Sequence, residues 1–214
     1  MTLPEIIPLF PLPNVVLFPR MLLPLHIFEP RYRAMVRDAL RGPRLIGMVL
    51  LRGDWRADYA GRPPIFGTGT VGQMVHVDEL SDGRFNIVLR GLATFVVGEE
   101  VRPALAYREG HVTWREDGDD RIAAGTRERL VGLVHQYLER LGRKPTSPAA
   151  LDSDVDDATF VNFFGQHLDL DPLERQALLE ETSSSSRATR LVDVLEFRLQ
   201  EITRAGQGAP GRTH

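Results

Sequence analysis

Apolar residues crowd the start of the chain, and prolines cut them into short pieces. The run "IIPLFPLPNVVLFPRMLLPLHIFEPRYRAMV", from Ile6 to Val36, contains Pro8, Pro11, Pro13, Pro19, Pro24 and Pro30. A membrane-spanning helix needs roughly 20 continuous apolar residues, and each interior proline costs a helix about 3 kcal/mol. A secretory leader opens on positive charge. Here Glu5 is the first ionised side chain and Arg20 the first basic one. The pieces "EIIPLF", "NVVLF" and "LLPLHIF" have the length of strands, and proline is tolerated at a strand edge, where one side needs no donor. The pattern predicts three short strands joined by stiff turns.

The period then lengthens. Tyr32, Met35, Val36, Ala39 and Leu40 recur at helical spacing. Pro30 suits the first helical position, Glu29 sets a carboxylate beside the positive helix end, and Gly42-Pro43 stops the helix. "RLIGMVLL" from Arg44 reads as a buried strand. "GTGTVGQMVHVDEL" and "GRFNIVLRGLATFVVGEEV" read as strands paired across Asp82-Gly83, a strong hairpin signal. Phe85, Ile87 and Leu89 alternate with Arg84, Asn86 and Arg90, and Gly91 marks a candidate bulge. "LAYREGHVTWRE" is a further strand.

From Asp119 the helical period dominates. Leu130, Leu133, Val134, Tyr137, Leu138 and Leu141 form one stripe ended by Gly142. Asp157 is a candidate cap for a helix carrying Phe160, Val161, Phe163, Phe164 and Leu168. Asp171-Pro172 caps the next, and "TSSSS" offers hydroxyl caps to the last. The reading is α+β: a β-rich lobe over residues 1–116, a helical lobe over 117–204 and a disordered tail over 205–214.

Composition narrows the chemistry. The 214 residues are 43% hydrophobic with a formal net charge of −3, so there is no general pull toward nucleic acid. Cysteine is absent, which excludes disulfides and thiolate chemistry. No later segment has membrane-span length, and a cytoplasmic protein is expected. His26, His76, His111, His135, His167 and His214 show no metal-ligand spacing, and "EDGDD" at 116–120 lacks the spacing of a calcium loop. "GTGTVG" leads into a strand rather than a helix, so it is not a phosphate cradle. No cofactor or metal is expected.

The proline-punctuated opening followed by a helix, and "GTVGQMVHVDELSDGRFNIVLRGLATFVV" with its Gly-Thr-Val start, Asp-Gly turn and Arg-Gly end, resemble the amino-terminal, substrate-binding domain of the Lon protease family. The FEPRY form is similar to stand-alone bacterial members. The resemblance covers most of the chain and implies a PUA-like pseudo-barrel followed by a helical bundle. Full Lon proteases add an ATPase and a Ser–Lys protease module. Here the sole lysine, Lys144, stands in "GRKPTSP" without the glycines of a Walker A loop. It also lies in a polar stretch beside Arg143, although a Ser–Lys dyad needs a desolvated lysine. A pairing of Lys144 with Ser147 is therefore set aside, and the expected protein is no enzyme.

What the resemblance implies is a module that binds unfolded or extended polypeptide. The apolar excess at Leu12, Pro13, Phe18, Pro19 and Met21 supplies the candidate binding residues, because exposed apolar patches and open strand edges mark docking sites. Two other readings stand beside it. One is RNA binding through the PUA-like lobe and the arginines of "RYRAMVRDALR"; the other is an adaptor that docks on a separate protease.

Overall fold

The computed structural model describes residues 3–59, 61–101, 106–116, 118, 120–143 and 155–207. It divides into two compact units: Met1–Asp117 with Asn162–Glu180, and Gly118–Val161 with Glu181–His214. The first break falls after Asp117. The segment Asn162–Glu180, helical by its sequence pattern, is compact with the β-rich unit.

The first unit is built on a six-stranded mixed sheet: β1 Ile6–Leu12, β2 Leu22–Ile27, β3 Leu45–Leu51, β4 Ile65–Glu79, β5 Phe85–Val101 and β6 Arg108–Trp114. The order is β2-β5-β4-β3-β1-β6, and a further β5–β6 pairing closes five of the strands into a barrel. β5 serves two partners in turn. Phe85 to Arg90 pair with β2, and Phe95 to Val101 pair with β6. Ile7, Leu9, Leu45, Val49, Val71, Phe95 and Val112 fill the barrel interior. Between β4 and β5, Val71 faces Ala93 while Gly72 faces Gly91, so Leu92 is the extra residue of a bulge beside Gly91, as expected.

The register explains how β1 tolerates its prolines. β1 pairs with β6 over Ile6 to Leu9 and with β3, in parallel, over Leu9 to Leu12. Pro8 therefore lies where only β6 is paired, and Pro11 where only β3 is. Each proline has one side on which no donor is required. Pro24 has the same freedom, since β2 pairs with β5 alone. "NVVLF" departs from expectation: residues 13–21 form no strand but a loop with Val16, Leu17, Phe18 and Pro19 buried. Its polar groups are taken by side chains, as described below.

The strand 4–5 connection is a turn followed by a glycine at positive φ. Gly83 N–H donates to Leu80 O at 2.8 Å, Leu80 N–H to Arg84 O at 2.8 Å, and Gly83 has φ 77°. Helix α1, Pro30–Leu40, buries Tyr32, Met35, Val36 and Ala39, the expected stripe apart from the partly buried Leu40. Its arginines are engaged by the fold rather than simply solvated. Arg31 pairs with Glu29 at 3.0 Å. Arg33 donates to Asp82 O at 3.3 Å. Arg37 donates to Gly83 O at 3.4 Å, pairs with Glu79 and lies over the Phe85 ring. The hairpin tip is thus tied to α1.

Two caps of the later helices follow the sequence and one is displaced. α4, Pro172–Glu180, opens on a capping box: Asp171 Oδ1 accepts from Leu173 N–H, and Glu174 Oε2 accepts from Asp171 N–H, both at 2.8 Å. α5, Ser184–Gln207, is capped by Ser183 Oγ, which accepts from Ser186 N–H at 3.1 Å. α3, Asp157–His167, is capped by Asp156 rather than Asp157: Asp156 Oδ1 accepts from Thr159 N–H at 3.0 Å. Asp157 instead holds the start of the second unit, accepting from Ile122 N–H at 2.8 Å and pairing with Arg127 at 2.6 Å. Asp156→Ala is expected to lower stability by about 1 kcal/mol, the usual worth of such a cap, read as a shifted urea midpoint with unchanged slope.

In the second unit α2, Ala124–Arg140, buries Leu130, Val134 and Tyr137 and packs against α5, with Arg129 paired to Glu196. α5 runs to Gln207, past the expected start of the tail; the rest of that tail, with Lys144 and Ser147, lies outside the described residues.

Candidate functional site

The residues singled out as a polypeptide-binding surface are mostly interior. Phe18 is 0% exposed, and Pro19 and Met21 are buried as well. Leu12 and Pro13 are half-buried. The reason is the second half of α3. Phe18 N–H donates to Gln166 Oε1 at 3.0 Å, and Asn162 Nδ2 donates to Pro19 O at 3.1 Å. Gly165 gives the Phe18 ring its seat: a Cβ there would lie 2.9 Å from Cζ. From Phe18 to Met21 the chain makes a turn with Pro19 second and Arg20 third at φ 70°, closed by Met21 N–H on Phe18 O at 3.2 Å. Phe18, Pro19 and Met21 are therefore corrected from a docking surface to a packing plug between the sheet and α3.

What the structure exposes instead is the strand after the plug. β2 is the open end of the sheet order, with no described strand on its outer side. Gly91 N–H donates to Met21 O at 2.9 Å, and the register continues as Leu22↔Arg90, Leu23↔Leu89 and Pro24↔Val88. Antiparallel ladders alternate bonded and non-bonded pairs. Leu23, Leu25 and Ile27 thus turn their backbone toward β5, and Leu22, Pro24 and His26 turn theirs outward. Pro24 stands where no donor to β5 is called for. The free edge offers the carbonyls of Leu22, Pro24 and His26 and the N–H groups of Leu22 and His26.

The side chains of the same residues share the outer sheet face. Three cross-strand rows run there: Leu22–Arg90–Gln73, Pro24–Val88–His76 and His26–Asn86–Asp78. Leu22 is 53% and Phe28 60% exposed, and Val75, the residue skipped by the β4 register, is exposed on β4. His26 Nδ1 lies 2.7 Å from Asn86 Oδ1, and His26 Nε2 lies 3.3 Å from Arg84 Nη1. Arginine only donates, so in the Arg84 contact Nε2 is the acceptor. Arg84 also pairs with Asp82 at 2.6 Å, and its backbone N–H and guanidinium hold the Asp82 carboxyl below the usual carboxylate range. Phe28 stacks on His26 with centroids 6.2 Å apart. The result is an edge with an apolar end at Leu22, an aromatic end at Phe28 and unpaired backbone between. Sequence reading passed over Leu22, Pro24, His26 and Phe28. The available signal was Pro24 at the centre of an alternating strand, which marks an edge.

Among the described residues no three His, Cys, Asp or Glu side chains gather as a metal site, and no helix is long and apolar enough to cross a membrane. Comparison with known proteins places the geometry in a family. A crystal structure of a Lon N-terminal domain protein from Xanthomonas campestris matches with a TM-score of 0.66 and 26% identity, over 88% of this chain and 97% of that one. The N-terminal domain of the Mycobacterium avium complex Lon protease shares the fold at TM-score 0.66 and 16% identity, over 90% of this chain and 98% of that one. Lon protease 2 of Myxococcus xanthus is 28% identical over 204 residues, which is 94% of this chain and 24% of that protein. The chain spans about a quarter of the length of the curated relatives it matches. The model of the ATP-dependent protease La (LON) substrate-binding domain matches residues 6–196, and the chain belongs to that family.

Proposed function

We propose that the chain is a non-catalytic recognition module that binds extended or unfolded polypeptide along the open edge of β2. The observation that carries the reading is the unpaired outer backbone of Leu22, Pro24 and His26, flanked by exposed Leu22 and Phe28. An added strand would take main-chain hydrogen bonds there with little sequence preference, while the two apolar ends would anchor its side chains. The family's substrate-binding character supports polypeptide as the ligand class. Of the residues first singled out, Leu12 and Pro13 stay as secondary candidates. A cytoplasmic setting belongs to the same proposal. The adaptor reading, with a separate protease as partner, would use the same edge.

The RNA reading has less support, because the α1 arginines Arg31, Arg33 and Arg37 already serve Glu29 and the hairpin tip. Salt separates the two: RNA affinity falls steeply with ionic strength, whereas apolar and main-chain binding does not.

The test is fluorescence anisotropy of a labelled, permanently unfolded polypeptide. Leu22→Glu should weaken binding about tenfold, in the range of an interface anchor, with an unchanged melting temperature because the side chain is mostly exposed. His26→Pro, which removes an outward N–H, should weaken it as well. Wild-type affinity in Leu22→Glu would sink the edge as the site.

A further inference from the structure

A recess in the first unit has a chemistry different from that of the β2 edge. It is a cleft of about 220 Å3 lined by Arg31, Tyr32, Tyr59, Arg62, Tyr107 and Arg108 among others. No carboxylate is among its described lining residues. The acids stand behind the arginines and hold them in place. Glu29 accepts from Arg31 Nε at 3.0 Å and from the Tyr59 hydroxyl at 2.8 Å. Glu100 receives Arg108 through both Nε and Nη2, and Arg62 Nη1 lies 3.7 Å away from it. Arg108 Nη1 donates to Pro63 O at 2.8 Å. The Arg31 guanidinium lies over two rings, 4.6 Å from the Tyr32 centroid and 4.9 Å from that of Tyr59. Asp58 accepts the Arg62 backbone N–H from outside the lining.

Donor arithmetic shows what is left over. A guanidinium has five N–H donors. Arg108 commits three, two to Glu100 and one to Pro63 O, and Arg31 commits three, two to Glu29 and one to Tyr59 O. Each keeps two N–H groups that no described residue takes, and Arg62 stands at 44% side-chain exposure on the rim. Fixed guanidinium forks select planar, bidentate anions, carboxylates above all. Burial, and Glu29 taking its hydrogen bond, raise the pKa of Tyr59, so that wall stays neutral. The volume lies below the roughly 300–1,000 Å3 of drug-sized sites and suits a group of amino-acid size.

We propose that this cleft binds a carboxylate carried on an amino-acid-sized apolar body, with the carboxylate on the free N–H groups of Arg31, Arg62 and Arg108 and the body against the Tyr32 and Tyr59 rings. The chemistry is shared by the C-terminal residue of a polypeptide and by a free small acid. The inference stands apart from the β2 edge, and the two fail separately: Leu22→Glu leaves the titrations below unchanged.

The experiment is calorimetric titration of the full chain with N-acetyl-phenylalanine, with its amide, and with a short peptide ending in phenylalanine as free acid or amide. The free acid should bind at least about tenfold more tightly than its amide, consistent with loss of a charge-assisted bond. Arg62→Gln should weaken the acid about tenfold with an unchanged melting temperature, since that side chain is on the rim. A peptide acid that binds as well as N-acetyl-phenylalanine identifies chain ends as the source. Binding of the small acid alone identifies a free carboxylic acid, and both results support the cleft. Equal binding of acid and amide, no binding of either, or undiminished binding by Arg62→Gln overturns it.

Discussion

Phe18→Ala should lower the unfolding free energy by about 3–5 kcal/mol, the usual cost of emptying a fully buried phenylalanine site. The ring is 0% exposed and is seated on Gly165, with its backbone pinned by Gln166 and the next carbonyl by Asn162. Those three partners are on a helix, which resists closing inward on the void, so the upper half of the range is expected. For a chain of this size the melting temperature should fall by about 10 °C. Polypeptide affinity of the surviving folded fraction should be unchanged, because the plug makes no part of the β2 edge. A melting temperature within a degree or two of wild type would mean that the loop is not packed as described.

Gly91→Ala should be nearly as damaging for the opposite reason. A Cβ at Gly91 would overlap the Phe18 carbonyl oxygen and come within 3.0 Å of its carbonyl carbon and 3.1 Å of Pro19 Cα. All of these are backbone atoms, so no side chain can swing aside. Gly91 is also held from both ends, its N–H on Met21 O at 2.9 Å and its carbonyl under Arg20 N–H at 2.8 Å. Overpacking costs typically 1–3 kcal/mol, and about 3 kcal/mol is expected here. The β2 end that begins at Leu22 should loosen first. Hydrogen exchange at Leu23 and Leu25, which face β5, should therefore accelerate more than exchange in the Phe95–Val101 half of β5, which pairs with β6. Uniform acceleration over the whole sheet would contradict a local clash.

Local chemistry in the sequence was enough for most of the elements. Period-two alternation marked β5, Asp82-Gly83 marked the hairpin, Pro30 and Asp171-Pro172 marked helix starts, and Gly91 marked the bulge. Each depends on residues within a few positions of one another. The fate of Phe18 did not. An apolar run between prolines looks the same whether it is covered or bare, and its cover comes from Asn162, Gly165 and Gln166, far along the chain. The cap of α3 failed for a related reason. Asp156 and Asp157 are chemically equal candidates, and only the position of Arg127 and Ile122 draws Asp157 away. The arginine cleft was equally hidden, since its walls come from α1, from Tyr59 and Gly61 to Pro63, and from β6.

The staggered pairing of β1 has a kinetic consequence. β1 needs β6 to complete its ladder, and Arg108 follows Leu12 by about a hundred residues. At synthesis rates of about 5–20 residues per second that is a wait of roughly 5–20 s. During it the stretch from Ile6 to Leu9 lacks its β6 partner and leaves an open apolar edge, the kind of segment from which aggregates nucleate. Proline interrupts such nucleation because it cannot donate to a growing ladder. Pro8 and Pro11 thus guard the nascent strand on both sides, and the stagger that accommodates them in the finished barrel is what allows the guard to stay in place after folding.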